Sequence, residues 1–233
     1  MALRILTWNL FHGRSRPDTP RSLLPEFAAQ LASYEWDVAL LQETPPWWPV
    51  PLGRAARASV RMTLTSRTWL LPIRRALADR RPDLVRSWGG GCNAILVRGQ
   101  PIVEHCVRPL RLLPERRVAH GVRLADGTWI TNLHGQVHRD AHAQADLQLA
   151  GATTLRWAGG APTVLGGDFN LKDTPAVPGF EHLAGNWVDH VMGRGLRAAG
   201  AGRGLERPTI DGAFLSDHRP LTVAVERVTA AAG

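Results

Sequence analysis

Lysine, tyrosine and cysteine are nearly absent from this chain: its 233 residues include one Lys (Lys172), one Tyr (Tyr34) and two Cys (Cys92 and Cys106). Two cysteines exclude a disulfide-stapled scaffold, and without paired spacing they exclude a cysteine-rich zinc module, so free thiols are expected. No apolar run approaches the ~18 to 20 residues that a membrane helix needs. The N-terminus enters a strand-like pattern at once instead of opening with a basic and then apolar leader. The expectation is a soluble, unexported, cytoplasmic protein. Neither a Gly-x-Ser-x-Gly elbow nor a P-loop Gly-x-x-x-x-Gly-Lys occurs, which argues against a covalent serine intermediate and against Walker-type nucleotide binding.

What is present suits a globular enzyme. Hydrophobic residues make up 44% of the chain and charged residues 21%, enough to bury a sizeable core. No repeat or composition break divides it, so residues 1–233 read as a single domain carrying a basic insertion at about 52–88. The net charge is +8, and all the basic residues but Lys172 are arginine. Arg54, Arg57, Arg61, Arg67, Arg74, Arg75, Arg80, Arg81 and Arg86 face only Asp79 and Asp83 in their segment. A smaller run holds Arg194, Arg197, Arg203 and Arg207 against Glu206. Such clustering suggests a face made for phosphate. Its bland counterpart is a solvated amphipathic face, and a third reading is attraction to anionic lipid headgroups.

Periodicity predicts strands at 3–8, 37–41, 93–97, 101–107, 117–124, 128–133, 163–166, 187–192 and 221–226. The pair 117–124 and 128–133 is joined by the hairpin signal Asp126-Gly127. Residues 93–97 and 101–107 read as a second hairpin, flanked by the two cysteines. Helices are expected around Leu23 to Leu31 and over 140–157, with a partly amphipathic one around Ile73, Leu77 and Leu84. Pro45, Pro46, Pro49 and Pro51 with Trp47 and Trp48 read as a rigid loop. Trp47, Trp48, Trp69 and Trp88 bracket the arginines, where they would either stack on bases or pack into the core.

The chemistry collects where apolar strands run into polar residues. Thr7-Trp8-Asn9, Leu41-Gln42-Glu43, Asn132-Leu133-His134, Gly167-Asp168-Phe169-Asn170, Val188-Asp189-His190 and Ser216-Asp217-His218 share this form. Each alone has a dull reading as a turn former, a cap or a satisfied histidine; together they point to one rim of a sheet. With Gly-Cys-Asn-Ala-Ile-Leu at 91–96 and Ser216-Asp217-His218-Arg219-Pro220, in this order over residues 5 to 224, they resemble the motifs of the endonuclease/exonuclease/phosphatase superfamily. The Gly-Asp-Phe-Asn and Ser-Asp-His-Arg-Pro elements are the most specific of them.

The resemblance implies an α+β fold, a four-layer α/β/β/α sandwich of two packed mixed sheets flanked by helices. It implies a metal-dependent phosphoric ester hydrolase in which Glu43, Asn9 and Asp217 hold Mg²⁺ or Mn²⁺, hard cations suited to oxygen ligands. It assigns Asp168 and Asn170 to the attacking water and His218, oriented by Asp189, to the phosphate oxygens or to base catalysis. His134 and Arg117 (with Arg116 as the other candidate) would bind phosphate. Asp211 competes with Asp189 as the orienting acid. His138 and His142, at helical spacing, invite a zinc reading that lacks a third ligand, and His12 and His120 have no role. The expected activity is a monomeric DNA endonuclease; the alternatives are a phospholipid, inositol-phosphate or other phosphomonoester hydrolase of the same fold, and an inactive nucleic-acid-binding module.

Overall fold

The computed structural model describes residues 2–65, 71–85 and 90–228. Trp69, Trp88, Arg67 and Arg86 lie outside them. Along the chain come β1 (Leu3–Asn9), β2 (Ser15–Arg16), α1 (Leu24–Ser33), β3 (Val38–Thr44), α2 (Pro49–Ala56), β4 (Ser59–Leu64), α3 (Leu71–Arg80) and α4 (Pro82–Val85). Next are β5 (Cys92–Val97), β6 (Ile102–Arg111), β7 (Arg117–Leu124), β8 (Trp129–His134), α5 (Asp140–Ala158) and β9 (Thr163–Asp168). The last part holds β10 (Glu181–Asn186), β11 (Asp189–Arg194), β12 (Leu196–Ala198), β13 (Arg203–Gly204), β14 (Thr209–Ile210), β15 (Ala213–Leu215) and β16 (Leu221–Arg227).

These strands build two mixed sheets, apart from β14, β15 and β2, which form a small third one in that order. The first has the order β12-β16-β1-β3-β5-β4, with β13 also on β16; the second has the order β10-β11-β9-β8-β7-β6. Each holds one parallel pair at its centre, β1 with β3 and β8 with β9, and is otherwise antiparallel. A parallel pair needs a crossover, here supplied by α1 and α5. Because both strands of a parallel pair end at the same edge, Asn9 finishes opposite Gln42, next to Glu43, and His134 finishes opposite Asp168.

Side-chain alternation explains the layering. From β1, Ile5 enters the apolar layer between the sheets with Val38, Leu40, Ile95, Val122, Ile130, Val164, Val191 and Val223. Its neighbours Leu6 and Trp8 point outward to Phe27 and Leu31 of α1 and to Trp48 and Leu52. On the far side, Leu133, Leu165, Phe169 and Met192 meet Ala143, Leu147 and Ala150 of α5. The result is the four-layer sandwich of helix, sheet, sheet and helix. A buried polar cross-link joins its halves away from the strand ends: Asn132 Nδ2 donates to the carbonyls of Leu41 (2.9 Å) and Ala94 (3.0 Å), and Gln42 Nε2 donates to Asn132 Oδ1 (2.8 Å).

Several expectations need correction. The strands β5 and β6 do not form a hairpin: β5 pairs with β3 and β4 in one sheet, whereas β6 pairs with β7 in the other. The turn near Gly99 changes sheets, and local periodicity carries no information about which sheet a strand joins. Cys92 and Cys106 accordingly sit on different sheets, both as free thiols. The proline loop is partly helix, since Pro49 starts α2, a position where its missing N–H costs nothing. Trp48 is buried in the core, while Trp47 is half-buried and donates to Asp79 Oδ1 at 3.1 Å. The basic stretch contains a sheet strand, β4, and Ile73, Leu77 and Leu84 on α3 and α4 are exposed. His138 lies in the loop before α5 with φ 66°, so it does not share a helix face with His142.

Candidate active site

The two parallel pairs deliver their polar ends to one cleft. From the first sheet, Asn9 Nδ2 donates to Asp168 Oδ2 of the second at 2.9 Å, and Asn9 Oδ1 accepts the backbone N–H of Phe11 (2.9 Å). Glu43, the residue after Gln42, has a left-handed backbone (φ 46°) that breaks the strand alternation and swings its carboxylate into the cleft. His134 Nε2 lies 3.7 Å from both Glu43 Oε1 and Asp168 Oδ2. Asp168 Oδ2 is also 3.7 Å from His218 Nε2, which is 3.9 Å from Asp217 Oδ1. His218 Nδ1 faces Asp189 Oδ2 at 2.9 Å. Asp189 opens β11 instead of ending a strand, and because β11 runs antiparallel to β9 it still falls opposite Asp168 on the same rim.

Loops complete the arrangement. Asn170 (φ 54°) donates its backbone N–H to Asp168 Oδ1 at 2.9 Å and its amide Nδ2 to the Gly135 carbonyl at 3.1 Å. Ser216 (φ 73°) bonds the Asn9 carbonyl at 2.7 Å and accepts the His218 N–H at 3.1 Å, tying the Ser-Asp-His loop to the end of β1. Arg117 is buried beside this group; it pairs with Glu115 and places Nη1 3.4 Å from His134 Nδ1. Asp211 is far exposed and turned to Arg21, so Asp189 is the acid that meets His218.

Burial and charge set the protonation. Burial pushes His134 well below the ordinary histidine value, and the positive charge of Arg117 adds to it. A guanidinium only donates, so His134 Nδ1 accepts and the hydrogen of the neutral ring sits on Nε2, aimed toward Glu43 and Asp168. Burial opposes charge on His218 too, but the hydrogen bond and charge of Asp189, helped by Asp168 and Asp217, overcome this and raise it. Burial raises Asp168, with His218 and the hydrogen bond from Asn9 opposing.

The donor set fits a hard divalent cation. Glu43, Asp168 and Asp217 bring carboxylates to one cleft, and Asp217 Oδ1 is buried there without a hydrogen-bond partner. Among the described residues, Asp168, Asp189 and His218 also bring ligand atoms within 4.8 Å of one another. In that trio the near Asp189 oxygen is taken by His218 Nδ1, an arrangement suited to orienting the ring.

Sequence reasoning passed over two residues of the cleft. His12 Nε2 lies 3.0 Å from Glu43 Oε2. Trp187 (φ 61°) sets its exposed indole against the His218 ring, 5.4 Å between centroids. Both stand at left-handed positions that no periodicity announces. A cavity of about 570 Å³ opens beside Glu43 and His134, walled by Phe11, Arg14, Leu112, Arg116 and Arg117.

A two-sheet sandwich whose central strand ends gather carboxylates, histidines and arginine in one cleft defines a phosphoesterase-type fold. The family model for the endonuclease/exonuclease/phosphatase family matches residues 6–218, and the chain belongs to that family. Its named activities are all hydrolyses of phosphoester bonds. Among solved structures, TDP2 from Caenorhabditis elegans superposes with a TM-score of 0.71 at 16% identity, covering 97% of this chain and 74% of the other. An endonuclease/exonuclease/phosphatase from Bacteroides vulgatus gives 0.71 at 13% identity, covering 98% and 100%. A functionally unknown conserved protein from Enterococcus faecalis gives 0.70 at 16% identity, covering 97% and 100%. No curated protein sequence matches this chain. Among the described residues, no helix is long and apolar enough to cross a membrane.

Proposed function

We propose that the chain is a divalent-cation-dependent phosphodiesterase that cuts DNA internally by in-line attack of water. The observation that carries this reading is the meeting of Glu43, His134, Asp168 and His218 within 3.7 Å steps across the two sheets.

Glu43, Asn9 and Asp217 are the side chains that would hold Mg²⁺ or Mn²⁺, which when bound supplies neutralisation of charge on the phosphoryl oxygens. Asp168 accepts the proton side of the attacking water, its carboxylate held by the Asn9 amide and the Asn170 N–H. Asn170 is itself fixed by the Gly135 carbonyl. The neutral His134 offers Nε2–H to a phosphate oxygen, kept in that tautomer by Arg117, whose unpartnered Nε is a second donor. His218, charged through Asp189, places a donor at the developing negative charge. No covalent intermediate with the chain is needed.

Polynucleotide is favoured as substrate because Arg14, Arg116 and Arg117 line the cavity beside Glu43 and His134, and because the segment from 54 to 86 carries nine arginines. The test is supercoiled plasmid incubated with Mg²⁺ or Mn²⁺. Nicking that stops with chelator and is lost in His218→Ala and Asp168→Ala supports the reading. Intact plasmid with every cation, alongside chelator-sensitive turnover of an inositol phosphate or sphingomyelin, would move the substrate to the small phosphoesters.

A further inference from the structure

We propose that His12 is a positioning residue for the cation-binding carboxylate Glu43; this rests on the reading that Glu43 holds the cation. The imidazole is stretched between two oxygens, with Nε2 3.0 Å from Glu43 Oε2 and Nδ1 3.3 Å from the Gly90 carbonyl. Glu43 Oε1 is the oxygen that faces His134. Holding Oε2 therefore decides which oxygen the carboxylate presents to the centre.

The backbone is bent to make this contact. Phe11, His12 and Gly13 are left-handed in succession (φ 49°, 55° and 75°), and Glu43 is left-handed as well (φ 46°). Such a conformation is unfavourable for each non-glycine residue, so Phe11, His12 and Glu43 together keep it only where the surroundings enforce it. Here the enforcement is visible. The Phe11 N–H is held by the Asn9 side chain at 2.9 Å, and Gly13 donates to the Leu10 carbonyl at 2.8 Å. The Trp48 indole packs 2.4 Å from where a Gly13 Cβ would stand. Asn9 thus touches Asp168 with one end of its amide and the turn that aims His12 with the other.

A carboxylate without this tether samples several rotamers and must be ordered by the cation itself. Loss of such a supporting hydrogen bond typically weakens metal binding by about 10- to 100-fold.

The experiment is a Mn²⁺ titration followed by the electron paramagnetic resonance signal of the free ion, on wild type, His12→Ala, His12→Leu, His12→Gln and Glu43→Gln, each checked for folding by circular dichroism. His12→Ala should raise the dissociation constant about 10- to 100-fold. His12→Gln, which keeps a donor near the Nε2 position while being a poor ligand, should recover most of the affinity; His12→Leu, which fills the space but removes the donor, should show the same loss as His12→Ala and stands in for it should that variant not fold. In plasmid nicking, the His12→Ala defect should shrink as Mn²⁺ is raised. If Glu43→Gln loses Mn²⁺ binding while His12→Ala and His12→Gln both bind as wild type does, His12 has no positioning role and the assignment of Glu43 survives. Wild-type affinity in Glu43→Gln, or no binding by the wild type, would overturn both.

Discussion

Asp189 Oδ2 stands 2.9 Å from His218 Nδ1, although the two residues come from a strand of one sheet and a loop feeding the other. The carboxylate selects the Nδ1–H tautomer and stabilises positive charge on the ring, leaving Nε2 turned toward Asp168 at 3.7 Å. Asp189→Asn keeps the shape but removes the charge, and the amide can present a donor that favours the wrong tautomer. The plasmid-nicking rate should fall about 10²- to 10⁴-fold with the melting temperature little changed. The sign of the pH effect follows from the cause: Asp189 raises His218 against burial, so without it His218 sheds its proton at lower pH. The alkaline limb of the rate profile should move to lower pH in the residual activity. An unchanged rate with an unmoved limb would remove Asp189 from the mechanism.

A second histidine pair acts on stability and lies away from the cleft. His120 on β7 is fully buried, with its Nε2 3.0 Å from His105 Nε2 on β6. Burial pushes His120 down to about 3, and the neighbouring His105 adds to it; burial also lowers His105. Two neutral rings share one hydrogen bond in the folded state, whereas the unfolded chain takes up protons below about pH 6.5. The folded pKa is below the unfolded one, so stability is complete above about 6.5 and falls as pH drops toward 3. Each proton bound only by the unfolded chain contributes about 1.4 kcal/mol per pH unit. Urea unfolding between pH 7 and pH 4.5 should show this slope in wild type and a shallower one in His120→Gln.

The site was more legible in the sequence than the path of the chain around it. Asn9, Glu43, His134 and Asp168 sit where the strands of the two parallel pairs end, a fixed place on one rim, and Asp189 joins them as the first residue of β11, antiparallel to β9. Partner choice was not legible: β5 and β6 alternate as a hairpin would, and only the layer of apolar contacts between sheets separates them. The α2 helix was hidden by its prolines, which fit the first turn as well as a loop. His12 was invisible for another reason. Its position depends on a left-handed turn without the usual glycine or asparagine at its first two residues, enforced by Trp48 from elsewhere in the chain together with the Asn9 side chain just before the turn.

The cross-link between the sheets offers a test of how the cleft is held together. Asn132 gives both amide hydrogens to carbonyls of the opposite sheet, Leu41 and Ala94, and takes one from Gln42. Asn132→Ala takes these donors from the Leu41 and Ala94 carbonyls, while Gln42 Nε2 keeps Thr7 Oγ1 and the Leu40 carbonyl. An orphaned buried group costs about 1 to 3 kcal/mol, and two carbonyls lose a donor at once. We expect a loss of about 3 kcal/mol in urea denaturation, with a further loss of nicking activity because Leu41 and Gln42 lead directly to Glu43. Asn132→Asp should not restore stability, since a carboxylate lacks the two donated hydrogens. A fully stable Asn132→Ala would show that this cross-link does not help to hold the sheets together.

Glycine at position 167 is required by the backbone on both sides of it. Its φ is 140°, a conformation that side chains rarely adopt, and a Cβ there would fall 1.9 Å from the Leu133 carbonyl oxygen on the neighbouring parallel strand. Backbone cannot yield as a side-chain tip can, so β8 and β9 would have to part where they place His134 and Asp168 opposite each other. Gly167→Ala should therefore destabilise by about 3 kcal/mol or more, through steric overlap and the unfavourable φ together. Any folded fraction should show a lower turnover rate, because parting of the strands separates His134 Nε2 from Asp168 Oδ2, now 3.7 Å apart. Gly127 gives the control: its φ is also positive, at 87°, but nothing lies within 4 Å of a Cβ there. Gly127→Ala pays only for the turn conformation, about 1 kcal/mol, and should leave activity intact. Equal losses in the two variants would mean that backbone conformation alone, and not the contact between β8 and β9, makes glycine necessary beside Asp168.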